Sequence, residues 1–229
     1  MADFPHTIDI APDMIQRCQT GLRLGAVAAR VGVCDSPADL RGELDRCLEQ
    51  ARERYATLRP QDQAAIAATR AAYRACGKDP SRYRPAAEAL ARRVAQGKGL
   101  DSINNIVDIN NILSLETGLS IGAYDSGTLH GGVILRVAGA GESYEGIGRG
   151  PLNLEGLPVL ADGVGAFGSP TSDSIRSMVT FSARQLLLVV YDFGSGLLDR
   201  SLVEHACSLL VRFASADDIG SCLIDRNAK

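Results

Sequence analysis

Two adjacent amides, Asn110 and Asn111, interrupt the helical pattern of "DINNILSLETGLSIGAYD" (residues 108–125), which runs on to the pair Tyr124-Asp125. At roughly 100° per residue Asn110 falls between Ile103 and Ile106 and near Leu113, on the apolar side, with Asn111 about a quarter-turn away. A buried amide without a partner costs about 1–3 kcal/mol, so something must meet these side chains. Either they tie the helix to a neighbouring loop, or they floor a cleft and read a polar ligand. The alternation that follows puts Ser120, Gly122 and Tyr124 on one face and Leu119, Ile121 and Ala123 on the other. Gly122 is expected to leave space beside the Tyr124 ring, as a pocket would need.

Other chemistry finds less support. The sequence has no GxSxG elbow, since "GSG" around Ser195 lacks the spacing, and no P-loop. "GVGAFG" (residues 163–168) fits GxGxxG, but "SPTSDSIRS" follows it without an apolar helical face. Ala183 stands where a ribose-binding acid would be, so the segment reads as a glycine-rich turn. His130, beside Gly131-Gly132, reads as a surface histidine. Six scattered cysteines with no CxxC, and three histidines apart from them, predict free thiols, no metal site and no cofactor. That cysteine usage suits a reducing cytoplasm. Between positions 78 and 98, Lys78, Arg82, Arg84, Arg92, Arg93 and Lys98 face only Asp79 and Glu88. This is either a phosphate-binding face or a solvated helix surface.

The elements that must position these groups follow from periodicity. "GLRLGAVAARVGV" alternates like a strand. Ser36-Pro37 predicts a helix start, with the hydroxyl as cap, followed by Leu40, Leu44, Leu48, Ala51 and Tyr55 at helical spacing. Further helices are expected over 61–76, from Pro85 to a stop at Gly97 with Leu90 and Val94 inward, through the asparagine segment to Gly118, and over 198–213. Short apolar runs, "LSIGAY", "GVILRV", "LPVLAD" and "LLLVVYDF", read as strands, and "GSCLID" as a possible last one. Helices grouped first and strands later predict an α+β fold. One domain over 1–229 is expected: a mostly helical part (1–80), a core (81–195) and a C-terminal helix with a possible strand (196–229). The net charge of −3 gives no global pull towards nucleic acid or anionic lipid. No apolar run spans a bilayer and no secretory signal is read at the N-terminus.

"YRPAAEALARRVAQGKGLDSINNIVDINNILSLETGLSIGAYD", "GGVILRVAGAGESY" and "VLADGVG…DSIRSMVTFSARQLLLVVYDFG" together resemble the B3/B4 domain, the editing module of the phenylalanyl-tRNA synthetase β subunit. The resemblance covers roughly residues 83–193. It rests on the Arg-Pro start, the "QGKG" turn, the "NxxVDxxN" helix, "GAYD" and "AD…G" in order. It implies a B3/B4-like fold with a mixed or antiparallel sheet packed by helices. It also implies a free-standing deacylase of misacylated tRNA, in which an oriented water attacks an already activated ester. On that reading Asn111 and Asp125 act catalytically, and Asn110, Gly122, Tyr124, Asp173 and Arg176 hold the amino acid or terminal adenosine. Arg84, Arg92, Arg93 and Lys98 meet RNA phosphates. Two departures stand out: the synthetase domain commonly has a histidine where this chain has Gly122, and a Gly-Gly-Glu-type segment where it reads "SDSIRS". They motivate the alternative, a non-catalytic module that binds tRNA or an amino acid.

Overall fold

The computed structural model describes residues 7–18 and 21–225; His6 and the start of the N-terminal stretch lie outside them. The longest apolar run, "QLLLVVYDF", forms strand β9 (Gln185–Phe193), buried on both faces from Leu186 onwards. It lies at the centre of a four-stranded antiparallel sheet with β2 (Leu22–Arg30), β3 (Ser120–Asp125) and β10 (Asp217–Asp225), in the order β10-β2-β9-β3. A second sheet runs β1-β4-β7-β8, from β1 (Ile8–Ile10), β4 (Val133–Val137), β7 (Pro158–Ala161) and β8 (Ala166–Gly168). Within it only the β1–β4 pair is parallel. β5 (Ser143–Gly146) and β6 (Gly150–Asn153) make a separate hairpin.

Helices cover one face of the central sheet. α2 (Ala38–Thr57), α4 (Ala86–Ala95), α5 (Asn105–Thr117) and α6 (Arg200–Ala214) bury apolar stripes against Val27, Ala29, Ile121, Leu186, Leu188 and Val190. The other face of the same strands carries Leu24, Ala26, Tyr124, Leu187, Val189 and Tyr191. It packs on the second sheet, on α1 (Pro12–Arg17) and on α3 (Ala64–Ala75). The architecture is therefore α+β in three layers, as the grouping of periodicities predicts. No helix among the described residues is long and apolar enough to cross a membrane.

Several local expectations are revised. Ser36 does not cap α2; its hydroxyl donates to Asp108 Oδ2 at 2.6 Å, and Pro37 occupies the cap position with no side-chain bond. Ile103 precedes α5 and is 61% exposed, so it is not part of the apolar stripe of that helix. The "GVGAFG" segment is a turn over 162–165 and then the short strand β8. β2, from the part expected to be mostly helical, sits inside the central sheet between β9 and β10.

Candidate functional site

α5 begins where Asn104 accepts the Val107 amide and ends at Gly118, whose φ of 75° closes the helix in the left-handed region that favours glycine. Neither Asn110 nor Asn111 lines any of the three surface cavities described below. Both are half-buried. Asn110 Nδ2 donates to the carbonyl of Ile121 at 3.1 Å, while its Oδ1 is buried without a hydrogen-bond partner. Among the strands β3 pairs only with β9, and apart from a single bridge from Tyr124 to Met178 its other side leaves ladder groups to be satisfied. Asn110 answers the Ile121 carbonyl, and Ser114 Oγ donates to that of Leu119 at 2.9 Å. The amide therefore binds helix to sheet edge. The amide that sequence reading passed over is Asn105, fully buried, whose Nδ2 donates to Gly32 O and Phe213 O, both at 2.9 Å. Its Oδ1 accepts the Cys34 amide at 3.1 Å. Only the neighbouring asparagines, inside the longer apolar pattern, drew notice.

Gly122 does not open a pocket. A Cβ placed there would stand 1.9 Å from the Tyr124 hydroxyl oxygen, and one on Gly168 of β8 would stand 2.3 Å from it. The Tyr124 ring itself fills the space that the two glycines leave, and it meets Phe167 edge-on at a centroid separation of 4.9 Å. Tyr124 is fully buried. Its hydroxyl donates to Asp173 Oδ1 at 2.9 Å and lies 2.7 Å from the Tyr191 hydroxyl. The segment 169–173 is wrapped by further tyrosines: the Tyr144 hydroxyl donates to the Ser172 carbonyl and lies 3.1 Å from Ser169 Oγ, and the Tyr73 hydroxyl lies 2.8 Å from Thr171 Oγ1. Burial pushes the Asp173 carboxyl up to about 7, against the opposing Tyr124 hydrogen bond. Burial first, then the Asp173 charge, holds both Tyr124 and Tyr191 well above the ordinary phenol value. An acid raised towards neutrality beside a phenol pair is an arrangement that could move a proton. Tyr73, Tyr144 and Tyr191 reach it from distant segments and carried no signal beyond their residue type.

The remaining expected site residues separate. Asn110 lies on the helix side of β3, whereas Tyr124, with Asp173 on its hydroxyl, lies between the sheets. Asp125 accepts the Gly127 amide at 3.1 Å and starts the short 3-10 turn Ser126–Thr128; it is a cap. Arg176 is engaged with Asp162, Nη1 and Nη2 each at 3.0 Å, and donates to the Thr128 and Gly165 carbonyls. The Asp162 side chain is shielded from solvent, which raises its carboxyl. The Arg176 hydrogen bonds and the amides of His130, Val164 and Gly165 outweigh that and bring it to about 2. This pair fixes the glycine turn to β8 and leaves no free guanidinium for a ligand. Three surface cavities, of about 120, 440 and 280 Å³, are lined by none of these residues.

The basic segment folds into a defined cluster. Glu88 is fully buried on α4, and Arg70 Nη1 reaches its Oε2 at 2.7 Å while Arg92 Nε reaches its Oε1 at 2.9 Å. Arg84 Nε stands 3.7 Å from the same Oε1 and has no hydrogen-bond partner. Three guanidiniums around one carboxylate leave a net charge of +2 at the surface of an acidic chain. Arg84 and Arg92 remain 41% and 38% exposed. Arg93 extends this face but turns to its own chain, donating to Gly99 O at 2.7 Å, with Asp101 at 3.7 Å. Lys98 is exposed beside them.

No curated protein matches the chain in sequence. In fold it is similar to an N-terminal fragment of the phenylalanyl-tRNA synthetase β-subunit from Pyrococcus horikoshii, with a TM-score of 0.50 and 12% identity. That match takes in 98% of this chain but only 56% of the fragment, and at such identity it is a likeness of fold alone. The family model of the B3/4 domain matches residues 68–207, which begins within α3, earlier than the motifs at 83–193, and ends within α6. The chain belongs to the B3/4 domain family.

Proposed function

We propose that this chain is a tRNA-binding module that holds the phosphate backbone on the arginine face around Glu88. The observation that carries the reading is the convergence of Arg70, Arg84 and Arg92 on one buried carboxylate. The carboxylate fixes the guanidiniums in place without neutralising them, so little side-chain freedom is lost when phosphates arrive. Lys98 and Arg93 extend the face, and the fold likeness to a synthetase fragment suggests the class of RNA. Binding of uncharged tRNA, followed against salt, tests it. Arg84→Ala combined with Lys98→Ala removes two cations of this face, Arg84 the most distant of the three from Glu88 at 3.7 Å and Lys98 exposed. It is expected to weaken binding and to flatten the slope of log K against log salt by about 2. An unchanged slope would rule out this face.

A second reading, trans-editing hydrolysis of misacylated tRNA, is favoured by one feature, the carboxyl of Asp173 poised near neutrality beside Tyr124 and Tyr191. There Asp173 would take the proton of a water attacking the ester carbonyl, and the terminal ribose oxygen would leave. The ester can reach it only if the Tyr124 ring swings out from above Gly122 and Gly168. A panel of mischarged tRNAs decides between the two. Hydrolysis above background that is lost in Asp173→Asn supports editing; saturable binding with only background hydrolysis leaves the binding module.

A further inference from the structure

β10 is an open edge of the central sheet: among the described residues it pairs with β2 and with no other strand. Such an edge is a template for a further strand, and proteins guard it with charged side chains, prolines or a covering element. Over residues 219–224 β10 reads "IGSCLI", with no charge and no proline. Leu223 is 41% exposed. The acids fall at the two ends and are answered within the chain: Arg23 Nε reaches Asp225 Oδ2 at 2.8 Å, and Arg30 Nε reaches Asp217 Oδ1 at 2.6 Å. Asp218 remains, at a φ of 51° inside the register shift that interrupts the ladder between Asp217 and Gly220. The regular part of the edge therefore holds no charge that would repel a second strand.

An edge of this kind fits its own copy. Two identical strands meeting antiparallel are related by a two-fold axis, which closes the assembly at two chains. Residues opposite each other in such a pair point to the same side of the sheet, so the axis must pass through a residue position. Ile219 packs with the helix-side core, which by alternation puts Ser221 and Leu223 on that side too. With the axis at Ser221, Ile219 of each copy meets Leu223 of the other. An axis at Cys222 would set Ile219 against Asp225, and one at Gly220 would leave Leu223 beyond the bulge without a partner. The helix layer accommodates the same contact. α6 packs on both β2 and β10, so a strand spacing of about 4.8 Å sets α6 and its copy about 10 Å apart, near the usual helix-packing distance. Val211, 52% exposed, lies on the stripe of α6 that carries Arg200 and Glu204. Those two residues line a cavity of about 120 Å³ with Val203 and Leu223, at the mouth of which Ile219 of the second copy would arrive.

We propose that the chain forms a two-fold dimer by antiparallel pairing of β10 with β10 of a second copy about Ser221, joining two four-stranded sheets into one continuous sheet. The pairing gives the outer backbone groups of β10 their partners and covers Leu223 and Val211. It leaves the arginine face open, because α4 lies at the opposite edge of the sheet, where the Ala87 amide donates to Ser120 Oγ of β3 at 3.4 Å. The dimer therefore presents two separate basic faces, and it holds or fails independently of what those faces bind.

Sedimentation equilibrium of the full chain over a range of concentrations tests the proposal, with the mass expected to rise from that of one chain to that of two. Leu223→Lys charges the edge at an exposed position and should raise the dissociation constant at least about tenfold. Val164→Lys, at an exposed position in the turn before β8, should leave it unchanged. Far-UV circular dichroism checks that both variants are folded. Hydrogen exchange on the native chain reads the edge without any substitution: amides within 219–223 should exchange more slowly where the dimer forms than where dilution separates it. If Leu223→Lys fails to fold, that exchange decides alone. A monomer at every concentration, a dimer indifferent to Leu223→Lys, or protection gained away from β10 and the facing stripe of α6 would each overturn the proposal.

Discussion

Tyr124 is where one side chain joins packing to polar contact between the two sheets. Its ring occupies the volume above Gly122 and Gly168, and its hydroxyl joins Asp173 to Tyr191. Tyr124→Phe keeps the packing and leaves both partners short of a bond, so denaturant unfolding should show a loss of about 1–3 kcal/mol. Gly122→Ala puts a methyl where the hydroxyl lies and should destabilise by about 1–3 kcal/mol through overpacking. Asp173 also sets a pH dependence. Its carboxyl is raised from 3.8 to about 7 in the folded state, so between those values the native protein holds a proton that the unfolded chain has lost. Stability from this group is full below about 3.8 and falls as the pH rises through 7. Asp162, lowered to about 2, works the other way: its contribution is present above 3.8 and lost as the pH falls towards 2. Urea midpoints across this range should decline towards neutral pH in the native sequence, and Asp173→Asn should remove that decline. At this scale alternation correctly placed Gly122 and Tyr124 on one face. It could not tell that the tyrosine folds back over the glycine, because a strand pattern specifies direction and not occupancy.

Among the elements, α5 shows what an amide in an apolar helix is for. Asn105 bonds the carbonyls of Gly32 and Phe213 and the amide of Cys34, tying three chain segments at the helix start. Asn105→Ala should cost about 2–3 kcal/mol, since those buried groups lose their partners together. Asn111→Ala, at a half-buried position with no hydrogen bond, should change stability by less than about 0.5 kcal/mol. Thermal unfolding of the two variants side by side measures the contrast. The long elements were legible because their apolar residues repeat at helix or strand spacing, as Leu40, Leu44, Leu48, Ala51 and Tyr55 do along α2. β1, α1 and the β5–β6 hairpin were not, because three to six residues are too few to establish a period. The Ser36 cap failed for a different reason: a buried acid in a distant helix, Asp108, competes for the same hydroxyl.

At the scale of the whole molecule, a sheet shared by two cores sets the distribution of chemistry. The helix layer carries the asparagines on one side of it, and the second sheet encloses the tyrosine and acid cluster on the other. The α5 asparagines and the Tyr124–Asp173 cluster lie on opposite faces of that sheet, a separation that sequence order alone did not disclose. The motif order did identify the family, because those motifs are set by turns and helix starts that the fold retains. Charge is arranged on the outside: an acidic chain presents Arg84, Arg92 and Lys98 around a guanidinium cluster that Glu88 anchors from within. The most direct measurement is the equilibrium binding of tRNA over a salt series, comparing the native chain with the Arg84→Ala, Lys98→Ala variant. Salt-sensitive binding that weakens in the variant, with the slope reduced by about 2, is the predicted result. No binding at low salt, or binding indifferent to the loss of both cations, would contradict it.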